Sequence, residues 1–258
     1  MTANRLALVA LVACVPVAAA QHAAAAQHPA EAPHPHWDYE GPNGPTHWGT
    51  LDPAFRACEV GKHQSPIAIN DPTIKDLPAI EFSYRPTPLK LIDNGHTIQV
   101  NYAPGSFITV NHHQYELQQF HFHHPSEEEV NGRSYPVVAH LVHKDAGGKL
   151  AVVAVLLDEG KANEVIQTIW THLPEEQGKE VERVGLTVDV AKLLPATRGY
   201  YTFTGSLTTP PCTEGVTWFV LKTPSQMSRD EIALFAKHYP HNARPLQPLN
   251  HRTVVMTP

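Results

Sequence analysis

The sequence predicts a predominantly β protein: a single domain around one large sheet, with a few peripheral helices. Three observations carry this. Short stretches rich in Val, Leu and Ile recur between residues 89 and 223, several of them alternating with a two-residue period. Turn clusters and 24 prolines punctuate them. Helical periodicity is confined to two segments, and many strands with few scattered helices favour a sheet-centred fold. At 258 residues with 42% hydrophobic residues, the chain has material for one sizeable core.

Residues 1–20 read as an export signal. Arg5 precedes the apolar run "LALVALVACVPVAAA", and a small-residue cleavage site ends at Ala20. The run is short for a spanning helix, which needs about 20 apolar residues, so no transmembrane span is expected in the mature chain. "LVAC" offers an alternative, a lipoprotein signal with Cys14 lipidated. Either reading places the protein in the periplasm or outside the cell. Residues 21–36, "QHAAAAQHPAEAPHPH", are too poor in large apolar side chains to build a core and read as a flexible leader. The remaining 37–258 is taken as one domain, with no internal repeat or linker. Outside the cytoplasm Cys58 and Cys212 can form a disulfide; two buried thiols are the alternative.

"LKLIDNGHTIQVNY" (89–102) reads as strand, Asn94-Gly95 turn, strand. "SFITVNHHQYELQQFHFHH" (106–124) alternates around a second turn near His112. "YPVVAHLVHK" (135–144) and "KLAVVAVLLDE" (149–159) flank "DAGG" and read as a hairpin. "GVTWFVLKT" (215–223) is a further strand. "NEVIQTIWTHL" sets Val165, Ile166, Ile169, Trp170 and Leu173 at helical spacing. In "SRDEIALFAKHY", Ser228 stands three before Glu231, a capping-box pattern. The formal charge of −6 is mild, and no block of like charges occurs. Nucleic acid is therefore not an expected partner.

The chain carries 18 histidines, and their placement is uneven. In "QQFHFHHP" (118–125), strand alternation puts His121 and His123 on one face, with Phe120 and Phe122 on the core face. His124 falls on the phenylalanine face, without a role. Two imidazoles at i and i+2 on a rigid strand can share a metal, and a catalytic zinc commonly takes three protein ligands. In "VVAHLVHK", His140 shares a face with Val138 and Val142, while His143 faces the other way. Spacing alone leaves both open as the third ligand.

Seven segments, in order, resemble those of the alpha-class carbonic anhydrases: "HWDYEGPNGPTHWGTL", "KHQSPIAI", "DNGHTIQV", "QFHFHHPSE", "AHLVHKDAGGKLAVVAV", "SLTTPPCTEGVTW" and "NARPLQPLNHR". They run from about Trp37 to Arg252, and the "PSE" and "TTPPC" variants resemble the bacterial, exported branch. The resemblance implies a mostly antiparallel twisted sheet of about ten strands. It implies one zinc ion held by His121, His123 and His140, which decides against His143. It implies hydration of carbon dioxide to bicarbonate and a proton by a zinc-bound hydroxide, with weak esterase activity as a side reaction. Thr208 would orient the hydroxide and Glu127 would accept from Thr208. Thr209 would position bicarbonate, and Val142, Val152, Leu207 and Trp218 would wall the substrate pocket. His96 matches the proton shuttle, with Tyr39, Asn94 and Gln99 along its water chain. Cys58 and Cys212 fall where the bacterial branch has its disulfide. Sulfonamide-type and anion inhibitors are expected to bind, and the chain is expected to be a monomer or homodimer. Relatives of this fold that bind partners without catalysis typically lack zinc ligands, whereas here all three are present.

Around the ligands the sequence matches one expectation and breaks another. Metal-bound histidines usually donate their other N–H to an acceptor. Gln119 stands two before His121 and suits that task. The family usually has glutamate two before the third ligand, and this chain has Val138. The sequence therefore predicts that His140 lacks its usual anionic partner, unless water or another residue substitutes, and that zinc is held less firmly.

Overall fold

A computed structural model describes residues 35–258, which pack as one unit. The signal, lipidation and most of the leader assignments lie outside the described residues. Among those described, a 13-stranded sheet dominates. Its main path runs through strands Val181–Val188, Thr87–Asp93, Ile98–Asn101, His113–His123, Val137–Lys144, Leu150–Glu159, Glu214–Leu221, Tyr200–Ser206, Val255–Met256 and Thr73–Ile74.

The sheet is mixed, which corrects the mostly antiparallel expectation. Neighbours from Val181–Val188 across to Leu150–Glu159 pair antiparallel. Leu150–Glu159 then pairs parallel with both Glu214–Leu221 and Ser225–Met227. Parallel neighbours need a long crossover, and here the intervening chain supplies helix Glu164–Trp170 and two strands.

The predicted turns form as their residues dictate. Asp93 pairs with Ile98 around Asn94-Gly95. Gly95 has φ 88°, a left-handed conformation that favours glycine. Asn111 and His112 both take positive φ, which is the backbone of a two-residue hairpin turn between Val110 and His113. The 135–159 segment is the expected hairpin, with Lys144 opposite Leu150.

Two cores form, one on each face. On one, Phe120 and Phe122 are fully buried with Leu141, Val153 and Val155. Helices Glu164–Trp170 and Arg229–His238 cover them; Trp170 and Phe235 stack at 5.2 Å, and Phe122 meets both edge-on. Full burial of a phenylalanine contributes about 1.5–3 kcal/mol, so the strand carrying His121 and His123 is anchored from behind. Both predicted helices form, and Arg229–His238 starts as its sequence predicts. Asn163 accepts from Val165 and Ile166 N–H, and Ser228 and Glu231 form a reciprocal capping box. On the opposite face Val138, Val152, Ala154, Trp218 and Val220 form the second core, with Val142 and Leu207 at its margin.

Candidate metal centre and active site

The predicted ligands and the predicted pocket wall meet on this second face. In cross-strand register, Gln99 stands opposite His121, His121 opposite His140, and His140 opposite Ala154. A parallel row runs Val142, Val152, Trp218. One row is polar and one apolar, because alternation along each strand places every second residue on this face.

His121, His123 and His140 each offer a ring nitrogen within 4.8 Å of the others. His143 does not join them. It lies on the far face, fully buried, with its Nε2 2.8 Å from the Tyr84 hydroxyl. Burial pushes its pKa down to about 3.

Each of the three clustered rings commits one nitrogen to a protein acceptor. His121 Nδ1 lies 2.8 Å from Gln119 Oε1, and His123 Nδ1 lies 2.7 Å from the Asn242 carbonyl. His140 Nε2 lies 3.1 Å from Glu128 Oε1. These contacts fix the opposite nitrogens, Nε2 of His121 and His123 and Nδ1 of His140, as the ones facing the cluster. His123 Nε2 is buried without a hydrogen-bond partner, as is Glu127 Oε2 beside it at 3.6 Å. Buried polar atoms are normally paired, and a cation among the three imidazoles would account for the orphaned nitrogen.

The electrostatics agree. Burial pushes the His121 pKa down to about 3, with His140 adding to it. Burial likewise holds His123 well below its ordinary value. Both rings are therefore neutral at pH 7, as a metal ligand must be. Burial also pushes His140 down, but Glu128 and then Glu127 outweigh it and leave the pKa raised. Burial pushes Glu127 up to about 7; His140 opposes this, the adjacent Glu128 adds to it, and Arg244 N–H and Thr208 oppose it. A divalent cation beside Glu127 would draw its pKa back down.

Glu127 Oε1 accepts from Arg244 N–H at 2.8 Å. The buried Thr208 hydroxyl faces the same carboxylate and favours its charged form. Thr208 sits in a tight turn in which Leu207 N–H reaches the Thr213 carbonyl and Cys212 N–H reaches the Thr209 carbonyl. Cys212 is disulfide-bonded to Cys58. The Arg244 guanidinium donates to Cys58 O, Ser65 O and Gln64 Oε1. Disulfide, turn and Glu127 are thus parts of one bonded assembly. Trp218 presents its ring edge-on to His140 at 4.9 Å and donates its Nε1–H to Ser206 O.

His96 is half-buried at the rim, stacked on Trp37 at 3.6 Å. Burial lowers its pKa, His36 lowers it further, and Asp38 and Asp93 oppose. Asn94 Oδ1 accepts from His96 and Thr97 N–H and so shapes the turn that presents His96. Gln99 donates to Asn101. Tyr39 is buried edge-on to His96, its phenol held protonated by burial and then by the Glu127 charge.

The usual glutamate at position 138 is absent, as the sequence shows, and another residue substitutes: Glu128 supplies the carboxylate to His140. Sequence reasoning missed Glu128, Asn242 and Trp37. "SEEE" reads as solvated charge, and the Asn242 contact is through a backbone carbonyl, which no side-chain pattern signals. His124 also gains a place: its N–H meets Asn242 Oδ1 and its Nδ1 meets Pro240 O, so it ties the strand end to the C-terminal segment.

A largely enclosed three-histidine cluster, each ring braced at its other nitrogen, on a wide mixed sheet is a possible metal site of the kind that zinc hydrolytic and hydrating enzymes use. The sequence profile of the eukaryotic-type carbonic anhydrase family matches residues 43–258. The chain is 44% identical over 225 residues to a carbonic anhydrase of Nostoc sp., covering 85% of each chain. It is 43% identical over 256 residues to that of Neisseria gonorrhoeae, covering 98% of this chain and 97% of that one. Among solved structures, the alpha-carbonic anhydrase of Thermovibrio ammonificans, in complex with sulfanilamide, superposes with a TM-score of 0.82 at 43% identity. That match covers 85% of this chain and 98% of the other. The chain belongs to the alpha-class carbonic anhydrase family, a family of zinc lyases.

Proposed function

We propose that the protein is an exported enzyme that hydrates carbon dioxide reversibly, using one zinc ion held by His121, His123 and His140. The observation that carries this is the converging trio of imidazoles, two of them held neutral and each braced at its other nitrogen. Zinc, when bound, acts as a Lewis acid that lets water ionise near neutral pH, an established property of carbonic anhydrases. Three neutral ligands leave the ion's charge uncompensated in this role.

The chain's own residues do the rest. Glu127 receives an N–H at Oε1, so its Oε2 is left for the Thr208 hydroxyl. With its O–H donated as a hydrogen bond to Glu127, the Thr208 oxygen can only accept. It orients the nucleophile by accepting from its O–H, so that a lone pair of the nucleophile faces the substrate. Val142, Val152, Leu207 and Trp218 suit an apolar, linear substrate and exclude water. The backbone of Thr209 positions the product. His96 takes the released proton outward through water held by Tyr39, Asn94 and Gln99. Sulfonamide and anion inhibitors compete at the metal, and activated esters are slow alternative substrates. The disulfide and the apolar N-terminal run support a periplasmic or secreted location, with lipidation at Cys14 the alternative. No described helix is long and apolar enough to cross a membrane.

Stopped-flow carbon dioxide hydration by the purified chain, with metal analysis, tests this. Activity that survives full chelation would overturn it. Two further outcomes are expected. His96→Ala should slow turnover in weak buffer about 10-fold or more, with rescue by added imidazole. Because burial depresses the His96 pKa, wild-type turnover in weak buffer should rise with pH through a midpoint below 6.5, as neutral His96 accumulates. A profile unchanged by the substitution would remove His96 from the proton path. Reduction of Cys58–Cys212 should cost about 2–4 kcal/mol of stability, lowering the melting temperature by roughly 4–16 °C. It should also lower activity, since the turn bearing Thr208 is released. Unchanged activity in the reduced, folded protein would separate the disulfide from catalysis.

A further inference from the structure

We propose that Glu128 is the positioning residue of His140, replacing from another segment the carboxylate that position 138 lacks, and that it sets how long the site retains zinc. This rests on the three-histidine zinc centre proposed above.

Both Glu128 oxygens lie near His140 Nε2, at 3.1 and 3.3 Å, and both residues are fully buried. A buried carboxylate without a partner is strongly disfavoured, so the contact explains why an acid is tolerated there. The segment holding it is itself fixed. Glu128 O accepts from Ser126 Oγ, which in turn accepts from Tyr135 N–H, and Ser126 N–H reaches the Tyr135 carbonyl. The next residues, Glu129–Val130, pair parallel with Ala68–Ile69.

Position 138 contributes nothing of this kind. Val138 is fully buried in the apolar core, opposite His123 and Leu156. The two consecutive acids therefore divide the two sides of one imidazole. Glu127 Oε2 is 3.8 Å from Nδ1, on the side of the cluster, and Glu128 is on Nε2, away from it. With Nε2–H donated to Glu128, the Nδ1 lone pair is free and directed at the cluster, and the negative charge behind the ring strengthens its donation.

The test is the rate at which the zinc-loaded chain gives up zinc to excess chelator, with the His140 ring N–H followed by 15N-edited NMR. Glu128→Gln should lose zinc about 10–100-fold faster than wild type. The strongly hydrogen-bonded N–H resonance of His140 should move upfield, while the His121 and His123 resonances stay in place. A merely structural role for Glu128 would leave that resonance where it is. Glu128→Asp keeps the charge one methylene short and should fall between the two; it decides the question by the same criteria if Glu128→Gln does not fold. Zinc loss at the wild-type rate, or an unmoved His140 resonance, overturns the proposal. A wild-type chain that does not hold one zinc is a different result, and defeats the metal-centre reading itself.

Discussion

Replacing His140 with alanine is expected to abolish tightly held zinc and to lower carbon dioxide hydration by about 10³-fold or more. The size follows from what the ion supplies: without it the pKa of water returns toward 15.7, and hydroxide at pH 7 becomes scarce. His140 is enclosed on every side that the structure describes. It is 1% exposed, walled by the Trp218 ring, and opposite Ala154 in the sheet. Its removal also strands the Glu128 carboxylate, and breaking a buried pair from one side costs about 3–5 kcal/mol. His140→Gln is the companion variant, since its amide can still donate to Glu128. Metal analysis, stopped-flow hydration and thermal melts should show both variants metal-poor and inactive, with the glutamine form the more stable. Hydration near the wild-type rate in the folded glutamine variant would mean that the catalytic ion is held elsewhere.

Thr208→Val should cost about 10²–10³-fold in kcat/KM while leaving zinc stoichiometry intact. Valine is close to isosteric, so the turn from Leu207 to Thr213 keeps its backbone bonds. What disappears is an oriented hydroxyl that acts as the reaction proceeds, and loss of one such pre-organised group is typically worth two to three orders of magnitude. Glu127 would lose the group that faces its otherwise unpartnered oxygen. Thr208→Ser keeps a hydroxyl and should retain most of the activity. If valine and serine behave alike, orientation by this hydroxyl is not part of the mechanism.

Local chemistry made much of the site legible. Alternation separated His121 and His123 from Phe120 and Phe122, and the structure keeps that separation. The helix start at Ser228, and the turns at Gly95 and His112, depend on a few neighbouring residues and could be read directly. Spacing stalled between His140 and His143, since either strand face could have been the metal side; the segment resemblance resolved it. Glu128 was illegible because burial is a tertiary property, and "EEE" looks the same whether it faces water or an imidazole. The parallel pairing of Leu150–Glu159 with Glu214–Leu221 was hidden for a related reason: its register joins segments that share no turn.

The three histidines and the assembly around Glu127 differ in how far the chain must travel to form them. His121, His123 and His140 lie on two strands that are antiparallel neighbours in the sheet, His113–His123 and Val137–Lys144. The assembly brings Glu127 together with Thr208 and Arg244, beside a disulfide spanning 154 positions. Contacts close in sequence carry a small loop-closure cost and distant ones a larger one. The metal pocket is therefore the cheaper part to organise, and the oriented threonine the dearer. On the proposed reading, the folding chain would present its histidine-bearing strands before it was competent for turnover, and the closing of the Cys58–Cys212 loop would mark the passage from one condition to the other.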